Sequence, residues 1–302
     1  MIVAHRASLL VRLITFNVRY ATEHPGPGEE PWTVRCPRLC AQLRFIVSGH
    51  DSAFICLQEV LHSQLTDIQA RLGPSWGHIG RGREDGREAG EYSPIFFRTD
   101  RWECERSGTF WLSPTPEVPS RGWDAALERI VTMGYFRHRG TGAAVVVMST
   151  HLDHRGEVAR EKSARLLLEL ARTWPAELDR GASPPVLLGG DFNSSPADRA
   201  YKVLTEQGSG MREISGLVPE EAMYGNREIT FTSFGDADGE PKRIDFLFAS
   251  DAGNLGFVAF AILPNKFDDG VYLSDHRPVV SDIQLPVQVA AACHGDSQRD
   301  VV

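Results

Sequence analysis

Short apolar runs that stop abruptly at polar residues, separated first by helical stretches and then by one another, constrain this 302-residue chain more than any other feature. Leu13–Tyr20 alternates as a strand, Ala21–Pro31 is a Pro/Gly-rich loop, and Thr33–Ser48 has helical spacing through Leu39, Leu43 and Ile46. Phe54–Glu59 reads as a buried strand with polar residues at its end, Leu61–Leu72 as a second helix, and Gly80–Gly90 as an exposed, charged loop. Four strands follow: Ser93–Arg98, Trp102–Leu112, Ile130–Arg137 and Ala143–Asp153, with the Pro-rich loop Ser113–Trp123 among them. A helix over Glu157–Arg172 precedes the stretch Pro185-Val-Leu-Leu-Gly-Gly-Asp-Phe-Asn-Ser-Ser-Pro196, whose two glycines are expected to let the backbone turn. Strand geometry through this stretch places Asp191 and Asn193 on one face and Phe192 on the other. A helix from about Ala197 to Gln207 and strands at Ile229–Phe234, Arg243–Ala249, Phe257–Leu263 and Pro278–Leu285 complete the pattern. A chain so ordered builds an α/β (α+β) fold of two mixed sheets packed face to face, with helices outside. No boundary interrupts it, so residues 1–286 form one domain and 287–302 a weakly ordered tail.

Composition narrows the function. The formal net charge is −8, which disfavours a partner bound through counterion replacement, as nucleic acid is, while leaving room for a local basic groove. The five cysteines are odd in number and scattered, which reads as free thiols in a reducing, cytoplasmic setting. No stretch approaches the roughly 18 apolar residues of a membrane span. Arg12 interrupts the apolar run Ser8-Leu-Leu-Val11, so a signal peptide is not expected and the first core strand begins at Leu13.

Polar residues gather at the predicted strand ends: Asn17; Gln58-Glu59; Glu91-Tyr92; His151 and Asp153; Asp191 and Asn193; Asp245; and Asp275-His276. Any one could be a cap or a turn. Together, carboxylates, amides and histidines without cysteine form the donor set of a hard cation, Mg²⁺ or Mn²⁺, with zinc less favoured. Hydrolysis of a phosphate ester needs an aligned water, a group to orient or deprotonate it, and positive charge on the phosphoryl oxygens.

The ordered series Thr15-Phe-Asn-Val18, Leu57-Gln-Glu59, Ser149-Thr-His-Leu-Asp-His154, Gly189-Gly-Asp-Phe-Asn193, Arg243-Ile-Asp245 and Ser274-Asp-His-Arg-Pro278 resembles the endonuclease/exonuclease/phosphatase superfamily, which has the fold of pancreatic deoxyribonuclease. The resemblance implies a four-layer α/β/β/α sandwich and a divalent-metal-dependent phosphoesterase. It implies that Glu59 is the principal metal carboxylate, with Asn17 beside it and Asp275 on the metal side. It implies that Asp191 orients or deprotonates the attacking water, that Asn193 fixes the phosphate, and that Asp245 sets the tautomer of His276. His276 then stabilises the phosphate in flight or transfers a proton, and His151 contacts the phosphate from the other side. Glu91 is the candidate partner of His151, or else a loop glutamate facing water.

Gly108-Thr-Phe-Trp-Leu-Ser-Pro-Thr-Pro116 and Gly122-Trp-Asp-Ala-Ala126, leading to Arg129, look most like the phosphatase-like members of the superfamily. Trp123 and Arg129 are therefore candidate substrate-binding residues, against core packing for the first and a structural ion pair for the second. Tyr92 and Arg155 are further candidates at the rim. The leading expectation is a small phosphorylated substrate. Alternatives are a nuclease or deadenylase-like enzyme on single-stranded nucleic acid, a sphingomyelinase-like lipid phosphodiesterase for which Phe110-Trp-Leu112 is the only apolar hint, and a binding module without catalysis.

Overall fold

In the computed structural model, residues 8–176, 184–225, 227–250 and 253–287 are described. The proposed tail, apart from Val287, lies outside them, as do Cys293 and the first seven residues. The chain runs β1 (Ser8–Asn17), α1 (Trp32–Val47), β2 (Ala53–Gln58), α2 (His62–Leu72), β3 (Trp76–Ile79), β4 (Ile95–Arg98), β5 (Trp102–Trp111), β6 (Ile130–His138) and β7 (Ala144–His151). It continues through α3 (Glu157–Ala176), β8 (Val186–Asp191), α4 (Arg199–Thr205), β9 (Met211–Glu213), β10 (Met223–Gly225), β11 (Asp245–Ser250), β12 (Gly256–Ile262) and β13 (Val279–Pro286).

Two sheets result. One is seven-stranded in the order β10-β12-β13-β1-β2-β4-β3, the other six-stranded in the order β5-β6-β7-β8-β11-β9. The central strands are apolar on both faces because both faces are covered. Val11 and Leu13 of β1, Phe54 and Cys56 of β2, Val145 and Val147 of β7, and Leu187 of β8 meet between the sheets. Their neighbours Ile14, Phe16, Ile55 and Leu57 turn outward onto α1 and α2. Val146, Met148 and Leu188 turn the other way, onto Leu167 of α3 and Val203 of α4. This is the expected four-layer sandwich.

Several local expectations change. β1 begins at Ser8, before Leu13, because Arg12 is accommodated inside it: its Nε and Nη2 donate to Asp282 on the paired strand β13, each at 2.7 Å. Gly189 and Gly190 make no turn; β8 runs through both to Asp191. They are glycines because neighbours approach: a Cβ on Gly190 would lie 2.5 Å from the Thr150 carbonyl oxygen, and one on Gly189 3.1 Å from Thr15 Cβ across the sheets. Ile229–Phe234 is not a strand but a bridge at Phe231 followed by a 3-10 turn, Ser233–Gly235, with positive φ at Ser233 and Phe234.

Candidate active site

Strand register assembles the site. Parallel pairing sets His151 beside Asp191, and antiparallel pairing sets Asp245 on the other side of Asp191. In the facing sheet Asn17 pairs with Gln58 at the same end, which leaves Glu59 just beyond β2. Beneath the site Thr15 Oγ1 donates to Gln58 Oε1 within one sheet (3.2 Å), and Ser149 Oγ of β7 donates across to the Leu57 carbonyl of the other (3.3 Å).

Asp191 is the centre. Asn17 Nδ2 donates both to Asp191 Oδ2 (3.0 Å) and to Glu59 Oε1 (2.9 Å), joining the carboxylates of the two sheets through one amide. His151 Nε2 lies 3.4 Å and His276 Nε2 3.6 Å from Asp191 Oδ2. The other nitrogen of His276, Nδ1, is 2.8 Å from Asp245 Oδ2. Asp245 is held from behind, where its N–H and that of Ile244 donate to Thr230 Oγ1, and the Phe231 ring packs edge-on against the His276 imidazole at 5.0 Å. The segment misread as a strand therefore braces the His276–Asp245 pair.

Asn193 does not reach the site by strand alternation, because β8 ends at Asp191 and Asn193 has φ +44°. Its N–H donates to Asp191 Oδ1 (2.9 Å), and this short turn swings its amide onto His151. Asn193 Nδ2 donates to His151 Nε2 (3.0 Å) and to the Leu152 carbonyl (3.0 Å). Both amide hydrogens are engaged, so a phosphate would have to displace one of them. Arg19 and Glu59 also have left-handed backbones. Such conformations in residues with side chains cost energy and gather where a site dictates the geometry.

The electrostatics follow from burial. Asp191, 1% exposed and beside Asp245, is pushed up to about 7. Burial works against a charge on His276, but Asp245 and Asp191 outweigh it and lift the imidazole to about 10. Burial resists ionisation of Glu59 too, yet the Asn17 amide and the Arg19 guanidinium hold it below the usual carboxylate range. Asp275 is raised by burial and the nearby Glu59. Ser274 Oγ stands beside it, its single hydrogen shared between the Asn17 carbonyl (2.7 Å) and Asp275 Oδ1 (3.2 Å).

Glu91 faces the interior, not water. Arg83 grips it with two parallel hydrogen bonds, Nη1 to Oε2 at 2.7 Å and Nη2 to Oε1 at 2.9 Å, and Glu91 Oε2 lies 3.9 Å from His151 Nδ1. The charged loop is therefore not wholly exposed. Arg83 is buried, and Trp111 Nε1 donates to its carbonyl (2.7 Å). Trp111 and Leu112 are buried and Phe110 is half-buried, so this stretch presents little apolar surface. Burial and Glu59 raise Glu91 to about 7, while burial and the guanidiniums of Arg129 and Arg83 drive His151 well below its ordinary value.

Arg129 is buried beside this cluster, its Nη2 3.0 Å from His154 Nδ1 and its Nε 3.5 Å from Asp153 Oδ2. Asp153 is a hub: it accepts from the N–H groups of Ala126, Leu127, Arg155 and Gly156, which tie the Trp123 loop and the start of α3 to the His151 strand. Trp123 is not core. It is 39% exposed with φ +54°, while its neighbour Asp124 caps α3 by accepting from the N–H groups of Val158 and Ala159. Arg155 is exposed. Tyr92 departs from the expectation for it. Its ring is buried in the layer of α1 and α2, and its hydroxyl donates to the Arg87 carbonyl (2.9 Å), so it braces the loop and offers no face to a substrate.

The donor set suits a cation. One ligand atom each from Glu59, His151 and Asp191, and one each from Asp191, Asp245 and His276, come within 4.8 Å of one another. Asp245 Oδ1 is buried without a hydrogen-bond partner among the described residues. Buried carboxylates pushed upward are the signature of negative charge that a cation would neutralise.

Sequence reasoning missed three arginines. Arg83 carries no motif and lies in a charged run. Arg19, 3.8 Å from Glu59, and the buried Arg35, which donates to the carbonyls of Val18, Arg19 and Leu273, act through pairings that spacing alone does not reveal.

Comparison with known proteins gives one consistent result. Residues 14–276 match the family described as Endonuclease/Exonuclease/phosphatase family. Among solved structures, an endonuclease/exonuclease/phosphatase from Bacteroides vulgatus is 34% identical with a TM-score of 0.79, over 92% of this chain and 99% of that one. A mannosyl-6-phosphatase of Bacteroides thetaiotaomicron is 31% identical with a TM-score of 0.78, over 90% of this chain and 99% of that one. Protein angel homolog 2 of Danio rerio is 26% identical over 227 residues, 70% of this chain but 37% of its own length; the chain thus spans little more than a third of that curated relative.

Proposed function

The chain belongs to the endonuclease/exonuclease/phosphatase family, and from that premise we propose that it is a divalent-metal-dependent phosphoesterase that hydrolyses a small-molecule phosphate ester by direct attack of water. The observation that carries this reading is the position of Asp191, a buried carboxylate flanked by the Nε2 atoms of two histidines and tied by Asn17 to a second carboxylate, Glu59.

Glu59, with Asn17 and Asp275 beside it, would hold Mg²⁺, or Mn²⁺ in its place; Glu59 is the member of this set that also belongs to the converging clusters, and Asp191 lies next to it. The ion supplies positive charge that polarises the phosphoryl group and makes a water more acidic. Asp191 orients the attacking water and takes its proton, a task suited to a carboxylate raised to about 7. His276, kept protonated by Asp245, places a fixed positive N–H where charge develops on the phosphate. His151, steadied by Asn193, faces the phosphate from the opposite side. Arg129, Trp123 and Arg155 are the candidate substrate contacts: a buried guanidinium, an exposed indole on a positive-φ backbone and an exposed guanidinium, in segments that all meet at Asp153.

Sugar phosphates head the substrates to try, since one similar structure is a mannosyl-6-phosphatase. Among the described residues no helix is long and apolar enough to cross a membrane. A cytoplasmic location rests on the cysteines, of which Cys36, Cys40, Cys56 and Cys104 are free thiols. Phosphate release from sugar, nucleotide, inositol and lipid phosphates, with Mg²⁺ and with chelator, tests the reading. Metal-dependent release from one small molecule supports it. Cleavage of single-stranded nucleic acid with every small ester untouched would replace it.

A further inference from the structure

His151 and Glu91 stand at a distance that calls for a third party. Asn193 Nδ2 donates to His151 Nε2, so a neutral imidazole carries its hydrogen on Nδ1. That Nδ1 is buried and has no hydrogen-bond partner among the described residues. The carboxylate it faces, Glu91 Oε2, is 3.9 Å away, too far for a hydrogen bond and a distance that one bridging water closes. A cavity of about 10 Å³ lies here, lined by Arg83, Glu91, Tyr92, Ser93, Arg129, Ile130 and His151. This is about the least space that holds a single water. Arg129, 4% exposed, lines the same cavity and has an unpartnered Nη1.

We propose that one ordered water occupies this cavity, accepting from His151 Nδ1 and Arg129 Nη1 and donating to Glu91, and that Arg83 is the positioning residue that holds Glu91 in place to receive it. The bond count is right for a buried water, which typically makes about three hydrogen bonds. The pairing also explains why two guanidiniums are packed behind a neutral histidine. Arg83 fixes the acceptor carboxylate in a two-pronged grip, and Arg129 supplies the second donor. Breaking the grip frees Glu91, loses the water and lets the His151 ring turn, though no atom of Arg83 is placed against the reacting phosphate.

The site is tested in two ways. A crystal structure of the full chain, at a resolution that shows ordered solvent, is expected to place a water within hydrogen-bond distance of His151 Nδ1, Arg129 Nη1 and Glu91. Direct contact between Glu91 and His151, or a dry cavity, would overturn the proposal. Arg83→Lys keeps the charge and removes the two-pronged grip. The expected effect is a fall in kcat of about tenfold or more with KM changed less than about threefold, while side-chain ¹⁵N NMR shows His151 departing from the Nδ1–H tautomer. Unchanged kcat and tautomer would contradict the positioning role. The kinetic arm rests on the phosphoesterase reading. A wild-type protein with no ester turnover would sink that reading, whereas the solvent density and the NMR spectrum would still decide the water.

Discussion

His276 stands between two carboxylates, its Nδ1 2.8 Å from Asp245 Oδ2 and its Nε2 3.6 Å from Asp191 Oδ2. The first contact fixes the ring and its charge, and the second points that charge at the centre of the site. Asp245→Ala is therefore expected to lower kcat by about a hundredfold or more, and to bring the His276 pKa down. In the metal-free wild type, NMR titration should show His276 protonated through neutral pH and losing its proton near 10. Titration near 6.5 in the wild type would refute the pairing.

The same shifts set the pH dependence of stability. His276 has a folded pKa raised above its unfolded value, so its contribution is complete below about 6.5 and lost as pH rises toward 10. Asp191 is also raised, to about 7, so its ionisation weakens the fold as pH climbs from about 4 to 7. Metal-free protein is expected to melt about 2–5 °C lower at pH 9 than at pH 7, and Mg²⁺ should raise both midpoints by binding the folded state. A midpoint that climbs from pH 7 to pH 9 without metal would contradict this.

Arg35 offers a stability test remote from chemistry. Its buried guanidinium binds the carbonyls of Val18 and Leu273 at 2.8 and 2.9 Å, lashing the loop after β1 to the Ser274–Asp275 segment. Arg35→Met leaves those carbonyls unsatisfied and removes the more distant of two guanidiniums from Glu29, which keeps Arg19 Nε at 3.2 Å and the Gly26 N–H at 3.1 Å. The expected loss is about 3 kcal/mol or more, read by urea denaturation. A loss under about 1 kcal/mol would show that the carbonyls find other donors.

Glu59→Gln should move the metal titration more than the rate at saturating metal. The amide keeps the shape but gives up the charge that Arg19 and Asn17 sustain. A midpoint rising about tenfold or more is expected, measured by activity against free Mg²⁺ and by calorimetry. An unchanged midpoint would place the metal elsewhere.

Much of this site was legible because its parts end strands. An apolar run that stops at Asn17, Glu59, His151 or Asp191 marks a strand's polar end in sequence, and strand register then brings those ends together. Three short edge strands left no such trace: Trp76–Ile79, Met211–Glu213 and Met223–Gly225 are too short to show a period, unlike the ten-residue edge strand Trp102–Trp111. Gly80–Gly90 misled for a different reason. Its charges look solvated one at a time, and only the pairing of Arg83 with Glu91 lets both enter the interior. Tyr92 misled because a tyrosine at a polar strand end looks available to a substrate, whereas its ring packs under α1 and α2 and its hydroxyl is taken by the Arg87 carbonyl.

Asp191 carries the proposed chemistry. Phosphate release from the preferred ester should be measured for wild type and Asp191→Asn side by side, with Mg²⁺ and with chelator, after circular dichroism shows both folded. Chelator is expected to abolish wild-type turnover, and Asp191→Asn to lose at least about a hundredfold in kcat at saturating metal. Near wild-type turnover in the variant, or turnover indifferent to chelator, would contradict the proposed chemistry.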